Sequence, residues 1–404
     1  MATSRIRVRM RARPIDEPHR ASSQLELLFD LTFVVAVAAA TVQFAHSIAD
    51  GHAADGLAGF LQVFFAIWWA WMNFTWFASS YDTDDVPYRL LTMLQMAGVL
   101  VLAAGVPAAA DHGDYLGVTI GYLIMRIGLV SQWLRVAAEE PSDRRTALRY
   151  AGGISALQVG WFLRLFLVDQ GVLSSSGAQL LFFVALAILE LAVPWWAERT
   201  RATNWHPHHI AERYGLFTII LLGESVLAAT AGAQRALEAS EVTWSLIVIS
   251  AGGLVLLFAL WWLYFLQPAG AGLAERRDRS YLWGYGHYGI FASLAALGAG
   301  LEVAVEQTGH HLEASPTAVS YAIAIPTSVF LMLVWAVHAP LVETPTIPAA
   351  ASFAGVFIIL LLPLATPWLG VPGTTAATAA VSALLVAVTI ASAPIDRETP
   401  TASG

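Results

Sequence analysis

The chain has no cysteine and no lysine, and it carries little charge of either sign. Without cysteine there can be no disulfide, no thiolate metal site and no cysteine nucleophile. All 21 basic residues are therefore arginine, which reads as a habit of genomic base composition more than a functional choice. Charged residues make up 12% of 404 and hydrophobic residues 57%. No polar stretch outgrows the N-terminal segment 1–24, so no extramembrane domain is expected within these residues. The net charge of −8 is scattered through short loops, which suggests no nucleic-acid partner.

What fills the chain instead is apolar sequence. A helix that crosses a bilayer needs about 20 mostly apolar residues. Such stretches occur near 25–48, 57–79, 89–109, 115–137, 147–168, 178–197, 211–231, 242–266, 281–304, 317–339, 347–369 and 374–393. They predict an all-α, polytopic transmembrane helix bundle of about 12 spans occupying 25–393, with a basic tail at 1–24 and a second tail at 394–404. A secretory signal has a shorter apolar region without acids. The first stretch is longer and opens with Glu26 and Asp30, so it reads as a retained first span.

Arginine orients the bundle. The gaps at 80–88, 138–146, 198–210 and 267–280 hold seven arginines, from Arg144 to Arg279, whereas the intervening gaps hold only Arg235. Arginine in short loops is retained on the cytoplasmic side. Both termini are thus expected in the cytoplasm and the protein in the bacterial cytoplasmic membrane. The last two spans rest on length alone, because Pro363, Pro367 and Pro372 blur their division.

An internal echo suggests two halves, 25–197 and 211–393. Trp68-Trp69 precedes Tyr88 at the same spacing that separates Trp261-Trp262 from Tyr281, and Glu26 and Glu212 each open the preceding span. A six-plus-six duplication would produce this. Interfacial tryptophan belts would produce it too.

Several motifs resemble those of a known family, the bacterial low-temperature-requirement A proteins. They are ELLFDLTFVVAVAAAT at 26–41, YDTDDVPYR at 81–89, HIAERYGLFTIILLGESVLA at 209–228, ALWWLYF at 259–265 and YGHYGIFASLAALGAGLE at 285–302. The resemblance covers essentially the whole membrane region. It implies a cytoplasmic-membrane protein linked, by the family's name, to growth in the cold. It supplies no substrate and no site residues.

Candidate residues follow from cost. An ionisable group near mid-bilayer costs roughly 2.5–3.5 kcal/mol on insertion scales and marks a functional site by default. Glu224 in the seventh span and Arg126 in the fourth lie at similar depth, so a Glu224–Arg126 ion pair is expected. Glu26 and Asp30 share one face of the first helix, where they either attract cations or complement the helix dipole. His208 and His209 lie four and three residues before Glu212, a face that could bind a metal although no third ligand is evident, and a solvated histidine cluster with His206 is the plainer reading. His287 sits among Gly284, Gly286 and Gly289, and a hydrogen bond to Glu190 or Asp30 would satisfy it. Asp82, Asp84 and Asp85 are weak metal candidates, since clustered carboxylates suit Mg²⁺. No cofactor is expected.

Together these point to a transporter or channel for a small solute or cation, not to an enzyme. The alternatives are an intramembrane enzyme acting on a lipid or polyprenyl substrate, for which no complete residue set is visible, and a structural or sensory membrane protein. The Gly- and Ala-rich last helices would allow a homo-oligomer.

Overall fold

The computed structural model describes residues 6–18, 20–238, 243–267, 269–343 and 345–392. The tail expected at 394–404 and Arg5 of the basic segment lie outside the described residues.

The chain is helical: α1 (Gln24–Ala49), α2 (Ala53–Tyr81), α3 (Val86–His112), α4 (Leu116–Glu139), α5 (Arg144–Asp169), α6 (Ser176–Ala197), α7 (Pro207–Glu238), α8 (Trp244–Phe265), the short α9 (Ala269–Glu275), α10 (Ser280–Glu306), α11 (Pro316–His338), α12 (Ala349–Leu361) and α13 (Thr366–Ser392). Several starts have a local cause. Ser23 and Glu26 form a reciprocal capping box on α1, which satisfies two otherwise orphaned amides. Asp85 caps α3, and Ser175, Thr243 and Ser315 cap α6, α8 and α11.

Among the described residues ten helical stretches are long and apolar enough to cross a membrane. The last of these, Ala349–Ser392, is 44 residues long. It is interrupted at Gly370, whose φ of 67° and ψ of 174° are not helical. Proline-rich flanks and a left-handed glycine there make two segments of it. With α7, 32 residues long, this agrees with the expectation of about 12 spans. The faces these helices turn outward are apolar: Leu181 is 71% exposed, Val159 69% and Phe357 65%. Leucine and phenylalanine facing outward along whole helices fit a hydrocarbon surround.

The chain divides into two compact units, the first mainly Met1–Glu224 and the second mainly Ser225–Gly404, so that the division falls within α7. In the first unit the tightest seam is between α3 and α4. A Cβ added to Gly105 would lie 2.6 Å from the carbonyl carbon of Gly117, and one on Gly121 would strike the backbone of Leu102. In the second unit the corresponding seam is α10 on α11, where a Cβ on Gly300 would strike the Ala322 carbonyl and ones on Gly286 and Gly289 would strike Val337 and Leu333. Small residues let helix backbones approach in this way. The tryptophan echo is less even. Trp68 and Trp69 are buried, whereas Trp261 and Trp262 are 45% and 48% exposed.

Candidate functional site

The first unit buries charges in two centres, one at the N-terminal end of α1 and one on α6. At the N-terminal end of α1, Glu26 and Asp30 lie on the helix face that also carries the buried Phe29, Phe33 and Val37. Arg213 of α7 meets both. Its Nε and Nη2 donate to Asp30 at 3.0 and 2.5 Å, a two-pronged grip, and its Nη1 is 3.0 Å from Glu26. Trp71 of α2 donates its indole N–H to Asp30 at 2.7 Å. His209 Nε2 is 3.1 Å from Glu26. Glu26, Asp30, His209 and Arg213 are all buried to within 1%. Removing a charge from water costs several kcal/mol, and only this degree of pairing offsets it.

The second centre gathers around Glu190 of α6. Its Oε2 accepts from Trp69 of α2 at 2.8 Å and from Arg126 of α4 at 3.1 Å. Its Oε1 accepts from Trp161 of α5 at 3.1 Å and Tyr122 of α4 at 3.3 Å. Arg126 also contacts the Tyr122 hydroxyl and lies over that ring. Four donors from three neighbouring helices therefore converge on one carboxylate. Trp69 and Trp71 stand two residues apart on α2, so a single helix donates to both acid centres.

Several expectations are corrected here. Arg126 pairs with Glu190, not with Glu224: similar depth is shared by many helices, and facing is what selects a partner. Glu224 is half-buried on α7. Glu212 faces outward and accepts only a long 3.4 Å hydrogen bond from the Ser22 amide, among the bonds described for it. Each residue advances 100° around a helix, so Arg213, next to it, points inward. The histidines do not form a solvated cluster, because His209 is buried against Glu26 while His208 is exposed. His287, in the second unit, lies 3.0 Å from the Tyr264 hydroxyl and 2.7 Å from the Trp283 carbonyl in place of a carboxylate. The Trp283 carbonyl can only accept, so Nδ1 carries a hydrogen, while Nε2 shares a hydrogen bond with the Tyr264 hydroxyl.

The aspartates of the α2–α3 connection diverge. Asp84 is exposed and paired with Arg89 at 2.8 Å. Asp85 is buried, gripped by Arg135 at 2.6 and 2.8 Å, and accepts the Val8 and Tyr88 amides. Asp82 faces Arg20 at 3.7 Å and Arg13 at 3.8 Å. Among the described residues no three His, Asp or Glu side chains converge as a metal site. Burial, reinforced by the Glu26 charge, pushes the Asp82 carboxyl up to about 6. Asp85 goes the other way, to about 2, because the Arg135 guanidinium and the two amides outweigh its burial.

These contacts also place the basic N-terminal segment. It runs as a strap over this end of the unit: Met10 is buried, and its amide donates to Glu139 at 2.6 Å. The Arg13 amide donates to the Ser80 carbonyl at 2.9 Å, and Asn204 donates to the Arg13 carbonyl at 3.2 Å.

Sequence reasoning missed Arg213, Arg20 and the four tryptophan and tyrosine donors. The signal for Arg213 was present. Buried residues on α7 include 209, 210, 213, 214, 217, 218 and 221, a helical stripe that takes in Arg213 and leaves Glu212 out.

A helical architecture with apolar outer faces and buried arginine–carboxylate centres defines a polytopic membrane protein. The profile of the bacterial low temperature requirement A protein (LtrA) family matches residues 21–391, and the chain belongs to that family. It is also similar to an uncharacterized protein of Rhizobium meliloti, 27% identical over 285 residues, or 67% of this chain. The match spans 66% of that protein's length, a little under two thirds. No solved structure matches the chain.

Proposed function

We propose that this LtrA protein is a transporter or channel for a small solute or ion, not an enzyme. In this reading it lies in the bacterial cytoplasmic membrane with both termini in the cytoplasm. The observation that carries the reading is the pair of indoles on α2. Trp71 donates to Asp30 and Trp69 to Glu190, so the two acid centres belong to one polar file. That file continues through Tyr122 and Trp161 toward Arg164, near the far end of α5. Charges so placed are expensive and mark ion or proton pathways in membrane bundles. Full pairing of Glu26, Asp30 and Glu190 favours a second reading, in which the same groups only fasten helices.

The two readings separate in a neutral pair. Glu190→Gln together with Arg126→Gln removes both charges and leaves neither partner stranded. Under the transport reading the double variant stays within about 1 kcal/mol of wild-type stability, while flux of H⁺, Na⁺, K⁺ or small organic solutes into liposomes is lost. Retained flux would assign the pair to fastening. Glu224→Gln, assayed beside it, asks whether α7 shares the route.

A further inference from the structure

Arg164 differs from the other buried arginines of the first unit. Arg20, Arg126 and Arg213 each have a carboxylate within ion-pair distance. Arg164 is only 4% exposed, yet among the described residues no carboxylate lies within ion-pair distance of it. Its one polar contact is a 3.3 Å hydrogen bond from Nη2 to the Gln62 side-chain oxygen. Its Nε is buried and unpartnered. The guanidinium otherwise lies over the rings of Tyr115 and Phe183, 5.1 and 5.8 Å from their centroids.

Beside it is a cavity of about 30 Å³, lined by Arg164, Gln62, Thr119, Tyr122 and Trp161 among others. That is room for roughly two water-sized groups. The Tyr122 hydroxyl and the Trp161 indole are already committed to Glu190. The polar groups left uncommitted at the cavity are the Arg164 Nε and the Thr119 and Tyr115 hydroxyls, which offer donors and no negative charge. An amide oxygen and two ring faces do not offset the burial of a full cation, for which several kcal/mol must be recovered.

We infer that this cavity is an anion site, in which Arg164 holds a single monoanionic group of halide or one-headgroup-oxygen size, supported by Thr119. The group could be a free anion or the phosphate of an anionic lipid; the chemistry at Arg164 is the same. Binding here does not depend on the protein being a transporter.

The test uses the full chain in nanodiscs of zwitterionic lipid. Thermal unfolding is followed while sodium chloride replaces sodium gluconate at constant ionic strength and pH. A second arm keeps gluconate and adds phosphatidylglycerol. A ligand that binds only the folded protein raises its stability in a saturable way. Saturable stabilisation by chloride identifies a free anion, and by phosphatidylglycerol alone a headgroup. Arg164→Gln should weaken the half-saturating concentration by roughly tenfold to a hundredfold, the equivalent of one charge-assisted contact. Should that variant not fold, Thr119→Val is expected to weaken binding while leaving the arginine in place. No saturable effect of either anion on the wild-type protein overturns the inference, as does unaltered binding in Arg164→Gln. If anions bind but liposome flux is absent, the site stands and the transport reading falls.

Discussion

The two units solve the same problem, helices packed inside a hydrocarbon layer, with different chemistry. The first buries Glu26, Asp30, Glu190, Arg126, Arg164 and Arg213. In the second, among the described residues, no acid or arginine is buried; the buried polar groups are serines, threonines, His287, His338 and Gln267. Most of its hydroxyls return to their own helix. Thr375, Thr378, Ser382 and Thr389 each donate to the carbonyl four residues back, and Ser320 links Thr366 and Thr374 across helices. Such hydrogen bonds cost little to bury and contribute little. Paired ions cost much and lose much when one partner goes. The contrast locates the polar capacity of the protein in its first unit, while both units have a small-residue seam, α3 on α4 in the first and α10 on α11 in the second.

The contrast can be broken most severely at Arg213. Arg213→Ala would leave Glu26 and Asp30 buried without their cation, and a loss of about 3–5 kcal/mol is expected, read by denaturant or thermal unfolding in lipid. An effect below 1 kcal/mol would mean water reaches these acids. Next in size are the seams, where the units should behave alike. Gly121→Val in α4 and Gly300→Val in α10 should each destabilise by about 1–3 kcal/mol or more through overpacking. A tolerant Gly300 would show that the second seam is looser than the first.

Acidity separates the two aspartates under the N-terminal strap. The folded-state carboxyl of Asp82 is raised to about 6 from the ordinary 3.8. The folded protein therefore holds a proton there that the unfolded chain has released. That contribution is complete below the ordinary value and is lost as pH rises through about 6, an effect on the order of 2 kcal/mol. Asp82→Asn should abolish the fall. Asp85, lowered to about 2, contributes above the ordinary carboxylate range and loses its contribution as pH drops toward 2. Unfolding measured from pH 4 to 8 in wild type and Asp82→Asn checks the sign. The smallest effect belongs to the second unit: Thr378→Val, which removes a hydrogen bond within α13, should cost about 0.5–1 kcal/mol.

Much of this fold was legible from composition and period. Long apolar stretches placed the long helices from α1 to α11 within a few residues except at the end of α7, and the prolines that blurred the last division left α12 and α13 misplaced. Arg126 and Glu190 were visible as costly groups, but their pairing was not. Depth narrowed the partners of Arg126 without choosing among helices that share it. The missing information is which face of α6 turns inward, and the buried stripe Leu186, Glu190, Val193, Pro194 and Ala197 states it only once the packing is known. An arginine near the end of a span, as Arg164 is, ordinarily snorkels to water; the cavity beside it depends on Tyr115, Gln62 and Phe183 arriving from three other elements, which no spacing along α5 reveals. The strap at residues 6–18 was equally hidden, because a basic tail looks solvated until its acidic partners, Asp85 and Glu139, are seen to face it.

The central claim is that the paired charges of the first unit carry solute and the hydroxyls of the second do not. Flux in proteoliposomes, compared between Glu190→Gln/Arg126→Gln and Thr374→Val at matched, verified folding, tests it directly. The account predicts loss of flux in the first variant and near wild-type flux in the second. Equal flux in both, or loss only with Thr374→Val, would contradict it.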